Sequence, residues 1–458
     1  MMQGNRTKKS KKRLWKGSLL IGSVLLVAAI VWGYVQYRAY FLAPTERLAL
    51  TDYYPEMPPD SSHIYIELPV DHQDPSLGSY KGFYLLSPGF TPKQDVIFYL
   101  TDGQQNKVTT QTDFKAFELK LPGMSYVVMG RRGSFPALFP EVYQKDGSVD
   151  FKKAMRLYGT EQQIEDIEKV RQDLEKKGFL PPDGRIMLYG TSGAGILIQE
   201  YLAKHGEHVS KVMLEATGAP DIAIDGEIVN IGSPFTEMMK QESPETLTKL
   251  EDLLSKGRVD KASLCFMLYK IQLYDIDWKR SSIKLIDELA DGKKRSYYKN
   301  MLNPEYNFTF TKLLMKMPMM ESTKVRIFEI LGAQLFSYLA SPGELNIAFE
   351  WEKELIHKYV DEARAGKLDV PIINLTEKRR SYPGEVLLLI GDMDNQFSVK
   401  AADVICHAYP KAKRVVVHDT HAMLQNDAVY QSLRKIFFTK GLYSEEMEQE
   451  IKAAAISN

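Results

Sequence analysis

The chain predicts an α/β fold in which a mostly parallel central sheet with flanking helices is interrupted by an inserted, mostly helical segment. Three observations carry this. Arg185 to Tyr189 is an apolar strand that runs into the glycine-rich turn Gly190-Thr191-Ser192-Gly193-Ala194-Gly195, and the turn opens the helix-forming stretch Ile196 to Lys204. Glu385 to Ile390 is a second strand of buried character, ending in Gly391-Asp392-Met393-Asp394-Asn395. Between them, from 219 to about 378, strand rhythm gives way to helical spacing at Thr246 to Leu254, Lys261 to Tyr274, Ser282 to Leu289 and Ile347 to Arg364.

In chain order, residues 1–16 carry seven Lys or Arg and no acid, and they abut Gly17 to Tyr37, an uncharged run of 21 residues. A helix of that length spans the hydrocarbon of a bilayer, about 30 Å. The expectation is therefore an N-terminal transmembrane helix over 17–37, acting as an uncleaved signal anchor with the basic segment cytoplasmic. Trp32, Tyr34, Tyr37 and Tyr40 would mark the far interface. A cleaved signal peptide is the rival reading; the apolar run is too long for it, and no A-x-A-like site precedes Pro44. Residues 38–60 read as a linker, which would leave the remaining chain outside the cytoplasm, anchored to the cell membrane.

Residues 61–218 form the first half of the α/β core. Its strand Asp95 to Leu100 ends in Thr101-Asp102-Gly103-Gln104-Gln105, and its later strand ends in the turn that carries Ser192. Such a sharp turn strains the serine backbone and demands tiny neighbours, hence Gly190, Gly193, Ala194 and Gly195. The second glycine of G-x-S-x-G is replaced by Ala194, with a glycine arriving at Gly195. A phosphate-binding loop is disfavoured, because neither G-x-x-x-x-G-K-[ST] nor G-x-G-x-x-G opening a βαβ unit is present. An oxyanion hole would take one N–H from Gly193 and a second from Gly103 or Gln104.

A serine needs a base and an orienting acid, in the chain order Ser, Asp or Glu, His. Residues 379–440, the second half of the core, supply both. Asp394 is chosen over Asp392 because G-x-x-D spacing lets the chain leave the strand before presenting the carboxylate. Three of the eight histidines follow it: His407 falls in a helix, His418 ends the strand Arg414 to His418, and His421 lies beyond that strand in a loop. His421 is therefore the candidate base. Residues 441–458 read as a tail helix.

Other blocks follow the same order: Glu67 to Pro75; Val127 to Ser134, with Gly130 where an Asp is usual; Thr160 and the helix Asp166 to Leu174; Lys211 to Glu215. Together with Gly190 to Gly195, Gly391 to Asp394 and His421, they resemble the prolyl and tripeptidyl aminopeptidase group of serine peptidases. That resemblance implies an α/β-hydrolase fold over about 61 to 218 and 380 to 440, a triad of Ser192, Asp394 and His421, and a cap formed by residues 219–378. It also implies that cap carboxylates hold the substrate ammonium. Glu350-Trp351-Glu352 is the candidate group, against the plainer reading of a solvated helix face with one buried Trp. The Met-rich run Leu313 to Met320 reads more readily as core filler than as pocket lining.

Composition excludes other classes. Lys plus Arg and Asp plus Glu are 59 each, so no global field recruits nucleic acid. No CxxC, HExxH or EF-hand loop is present, so neither a metal nor another cofactor is expected. Cys265 and Cys406 read as free thiols rather than as a disulfide. The expected function is a membrane-anchored serine hydrolase acting on small peptides from the amino terminus. The alternatives are an esterase or lipase with the same triad, or an inactive hydrolase-fold binding protein.

Overall fold

The computed structural model describes residues 26–38, 40–47, 57, 60–102, 108–134, 137–219, 221, 223–224, 227–228, 233–340 and 344–455. Its sheet is built from β1 (His63–Pro69), β2 (Ser79–Leu86), β3 (Ile97–Tyr99), β4 (Tyr126–Met129), β5 (Ile186–Thr191), β6 (Val209–Glu215), β7 (Glu385–Gly391) and β8 (Ala412–Val417). The spatial order is β1-β2-β4-β3-β5-β6-β7-β8. β2 runs antiparallel to both neighbours and every other pairing is parallel. This is the α/β-hydrolase fold.

The central strands read as continuous apolar runs because both of their faces are covered. Along β7, Val386, Leu388 and Ile390 enter one core, while Leu387 and Leu389 enter the other. The first core is closed by α1 (Thr160–Lys176) and α2 (Gly193–His205), through Ile164, Ile167, Ile196, Leu197 and Tyr201. Between β6 and β7 the described chain is mainly helical and includes α3 (Lys261–Tyr274), α4 (Glu321–Ala340) and α5 (Ile347–Arg364). The second core is closed by α6 (Asp427–Lys440), through Tyr430, Leu433, Phe437 and Phe438.

Several of the ordered sequence blocks prove to be buried polar knots. Arg132 grips both oxygens of Asp166 at 2.6 Å and donates to the carbonyls of Pro69, Val70 and Leu157. His72 reaches the same carboxylate at 2.8 Å. At Gly130, where an Asp is usual, an added Cβ would lie 2.3 Å from the Phe83 ring, so Phe83 occupies the space that a side chain would need. Where the helical insertion leaves and rejoins the sheet, Asp221 and Arg379 form a bidentate pair at 2.7 and 2.8 Å. Arg379 also donates to Gln199 of α2 at 3.0 Å, which ties both chain crossings to the helix that follows Ser192.

The expected transmembrane helix requires correction. Among the described residues no helix is long and apolar enough to cross a membrane. The part of 17–37 that is described belongs to a helix over 26–38. Within that segment Gln36 and Arg38 interrupt the apolar character. The rest of the expected span lies outside the described residues.

Candidate active site

Ser192 sits between β5 and α2 at φ 54° and ψ −127°, a left-handed conformation that a serine adopts only when its surroundings impose it. Those surroundings are visible. Its N–H donates to the carbonyl of Glu215 at 2.9 Å, and its own carbonyl accepts from the Thr217 hydroxyl at 2.6 Å and from the Gly195 N–H at 2.9 Å. The small residues have separate reasons. An added Cβ at Gly190 would lie 2.8 Å from Ile198 and 3.1 Å from the Ala194 methyl, while one at Gly195 would lie 2.5 Å from the Thr217 hydroxyl. The methyl of Ala194 is thus accommodated by the bare Cα of Gly190, and the displaced glycine is required by Thr217.

Asp394 and His421 converge on this serine. Beyond Gly391, whose Cα is packed under the Asp419 carbonyl, the chain turns so that Asp394 Oδ1 accepts from the N–H groups of Gln396 at 2.8 Å and Phe397 at 3.1 Å. Its Oδ2 lies 2.9 Å from His421 Nδ1, and His421 Nε2 lies 3.0 Å from Ser192 Oγ. An ionised carboxylate can only accept, so Nδ1 carries the proton and the lone pair of Nε2 faces the serine hydroxyl. Asp394 is wholly buried and the His421 ring nearly so.

The rejected candidates fall elsewhere. Asp392 and His418 meet each other at 3.1 Å on the surface, and His407 caps its own helix by bonding to the Asp403 carbonyl. The loop of His421 is pinned from two sides. Asp419 accepts from the N–H groups of Thr420 and Gln425 and from the Tyr430 hydroxyl. From the helical insertion, the carbonyl of Leu273 at the end of α3 accepts from the Thr420 hydroxyl at 2.8 Å and the Ala422 N–H at 3.1 Å.

Gly193 opens α2, where the first turn of a helix leaves N–H groups without intrahelical partners. Gly103 and Gln104 lie outside the described residues. Their neighbour Asp102 is described and wholly buried, and its Oδ2 occupies the place of a Gly193 side chain, 1.9 Å from where a Cβ would stand.

The Glu350-Trp351-Glu352 group divides. Glu350 faces Lys353 at 2.6 Å, Lys261 at 2.9 Å and the Tyr338 hydroxyl at 2.8 Å. Burial works against its charge, yet these partners hold its carboxyl below the ordinary range. Trp351 packs edge-on against Tyr269 and Phe266, with centroids at 4.8 and 5.1 Å. Glu352 is buried, and its Oε2 has no hydrogen-bond partner among the described residues. Burial pushes its carboxyl up to about 8. The Tyr269 phenol is pushed well above its ordinary range, first by burial and then by the charge of Glu352, of Tyr274 and of Asp394. Sequence reasoning missed Tyr269 and also Arg326, a buried cation on α4 that reaches the Gly193 carbonyl at 3.4 Å.

No protein-family profile matches the chain, and no curated protein matches its sequence. Among solved structures it is similar to a bromoperoxidase from Bacillus anthracis, with 10% identity, a TM-score of 0.40, and coverage of 82% of this chain and 100% of that one. It is also similar to 2-hydroxy-6-oxo-6-phenylhexa-2,4-dienoate hydrolase from Rhodococcus sp., with 12% identity, a TM-score of 0.39 and coverage of 82% and 98%. An esterase from Exiguobacterium antarcticum is similar at 15% identity, with a TM-score of 0.35 and coverage of 81% and 96%.

Proposed function

We propose that the chain is a serine hydrolase that cleaves small amide substrates from a free amino terminus, an aminopeptidase-type activity. The observation that carries the hydrolase reading is the hydrogen-bonded series from Ser192 through His421 to Asp394, at 3.0 and 2.9 Å, with the serine held at positive φ. His421 Nε2 takes the hydroxyl proton as Ser192 Oγ bonds to the substrate carbonyl carbon. The Gly193 N–H faces the oxygen that becomes negative. His421 then gives the proton to the leaving amine as the C–N bond breaks, and water, activated by the same imidazole, releases the acyl group. Asp394 fixes the tautomer and stabilises the imidazolium.

The amino-terminal preference is supported by Glu352. It is a buried carboxyl with an oxygen that has no hydrogen-bond partner among the described residues, and Tyr269 feels the charge of both Glu352 and Asp394. A substrate ammonium entering beside it would supply the missing donor and draw off its proton. Turnover of Pro-, Ala- and tripeptide-linked chromogenic amides, compared with short-chain esters, tests the reading. Amide hydrolysis that requires a free amine is expected, and activity on esters alone would overturn the peptidase assignment.

A further inference from the structure

Arg326 is carried by the helical insertion yet ends directly behind the nucleophile turn. It is buried; its two terminal nitrogens donate hydrogen bonds, while Nε has no hydrogen-bond partner among the described residues. Nη2 donates to the Gly193 carbonyl at 3.4 Å and lies 2.8 Å from Glu200 Oε2 on α2. Nη1 donates to the Thr160 hydroxyl of α1 at 2.5 Å and lies 3.7 Å from Glu329 Oε2 on α4. Nε lies 3.8 Å from Asp102 Oδ2, in the loop after β3. Three carboxyls therefore surround the Arg326 guanidinium beneath the turn. The guanidinium of Arg131, after β4, is lowered to about 10 first by burial, with the charges of Asp102, Arg326 and Glu329 also acting on it.

The placement of Asp102 gives this cluster a chemical consequence. Its carboxylate lies against the Cα of Gly193, the residue whose N–H faces the developing oxyanion. A bare negative charge there would oppose the charge that builds on the substrate oxygen during acylation. We propose that Arg326 is a positioning residue of the acylation step: it neutralises Asp102 behind the oxyanion-binding N–H and holds Gly193 through its carbonyl, so that acylation depends on the seating of the insertion on the core. This rests on the serine-hydrolase reading for its kinetic consequence but not for the network itself.

The test is fluorophosphonate inactivation of the full chain, with kinact and KI measured from pH 5 to 9 for wild type, R326M, D102N and D102N/R326M. R326M should lower kinact by roughly 10- to 100-fold, less than loss of a direct oxyanion donor can cost, and leave KI within about twofold. The deficit should shrink on acidification as Glu329, whose carboxyl burial pushes up to about 7, takes up a proton, and D102N should restore most of the rate in the R326M background. A merely structural role predicts instead that kinact recovers only as far as the melting temperature does and that the deficit has no dependence on pH. Wild-type kinact in R326M, or a double variant as slow as R326M, overturns the proposal. If R326M fails to fold, R326K, which keeps the charge but not the fork, should fold with an intermediate rate; an R326K as inactive as a collapsed R326M contradicts the charge argument. If wild-type Ser192 is not labelled, the hydrolase reading fails instead. Thermal melting of the same four variants then judges the network: D102N must offset part of the melting loss in R326M, and additive losses overturn it.

Discussion

Replacing Glu352 by Gln tests whether the buried carboxyl recognises an ammonium group. Its carboxyl is pushed up to about 8 by burial, so ionising it at pH 7 costs about 1.4 kcal/mol. Attraction to an ammonium at about 4 Å, at an effective dielectric of roughly 20, contributes about 4 kcal/mol. The difference, about 2.6 kcal/mol, is close to a hundredfold in kcat/KM. Initial rates on an alanyl chromogenic amide and on its N-acetylated form provide the assay. The variant should lose roughly two orders of magnitude on the free amine and change little on the acetylated form, which has no charge to recognise.

Stability distinguishes this from misfolding. In the unfolded chain Glu352 ionises in the ordinary carboxylate range, whereas in the folded chain it stays protonated up to about 8. Folding therefore retains a proton that the unfolded state has lost, and this contribution to stability declines as pH rises toward 8. Gln has no such slope, so the variant should melt at or above wild type at pH 8. Equal losses on both substrates, or a loss on neither, would refute the ammonium-binding argument.

Two further outcomes follow from the site and its support. Asp394→Asn presents an amide to His421 Nδ1 and releases the tautomer, so kcat should fall by roughly three to four orders of magnitude in steady-state assays; a fall under tenfold contradicts its role. Glu215 and Arg434 form a fully buried bidentate pair at 2.5 and 2.9 Å, so Glu215→Gln should cost about 3–5 kcal/mol in urea unfolding at pH 7. Burial alone would raise the Glu215 carboxyl, but Arg434 holds it below its ordinary range; its contribution is present above that range and lost as pH falls through the lowered value, so wild type should lose stability on acidification more steeply than the variant.

The sequence carried the parts of the site that obey local rules. Ser192, Asp394 and His421 each stand at the end of a readable strand, and strand ends on one edge of a parallel sheet converge. The displaced glycine at Gly195 could not be explained from the chain alone, because its cause is Thr217, which follows the next strand. The Gly130 departure has the same character, since Phe83 on β2 fills the space. Glu350 and Glu352 looked equivalent in sequence, but two helical positions at about 100° each place them on nearly opposite faces, so Glu350 meets Lys261 and Lys353 while Glu352 is buried away from them. Arg326 had no local signal at all. A cation within a helix acquires its meaning only when the insertion folds back under the turn.

The apolar run near the amino terminus shows the opposite failure. Its composition alone suggested a spanning helix, but among the described residues no helix is long and apolar enough to cross a membrane, and Gln36 and Arg38 break the apolar run at its end.

The central claim is that Ser192 is an activated nucleophile. Fluorophosphonate labelling of the full chain, read by intact mass and peptide mapping, addresses it most directly. The account predicts one adduct, on Ser192, absent in Ser192→Ala and strongly slowed in His421→Ala. Undiminished labelling of Ser192→Ala would contradict it.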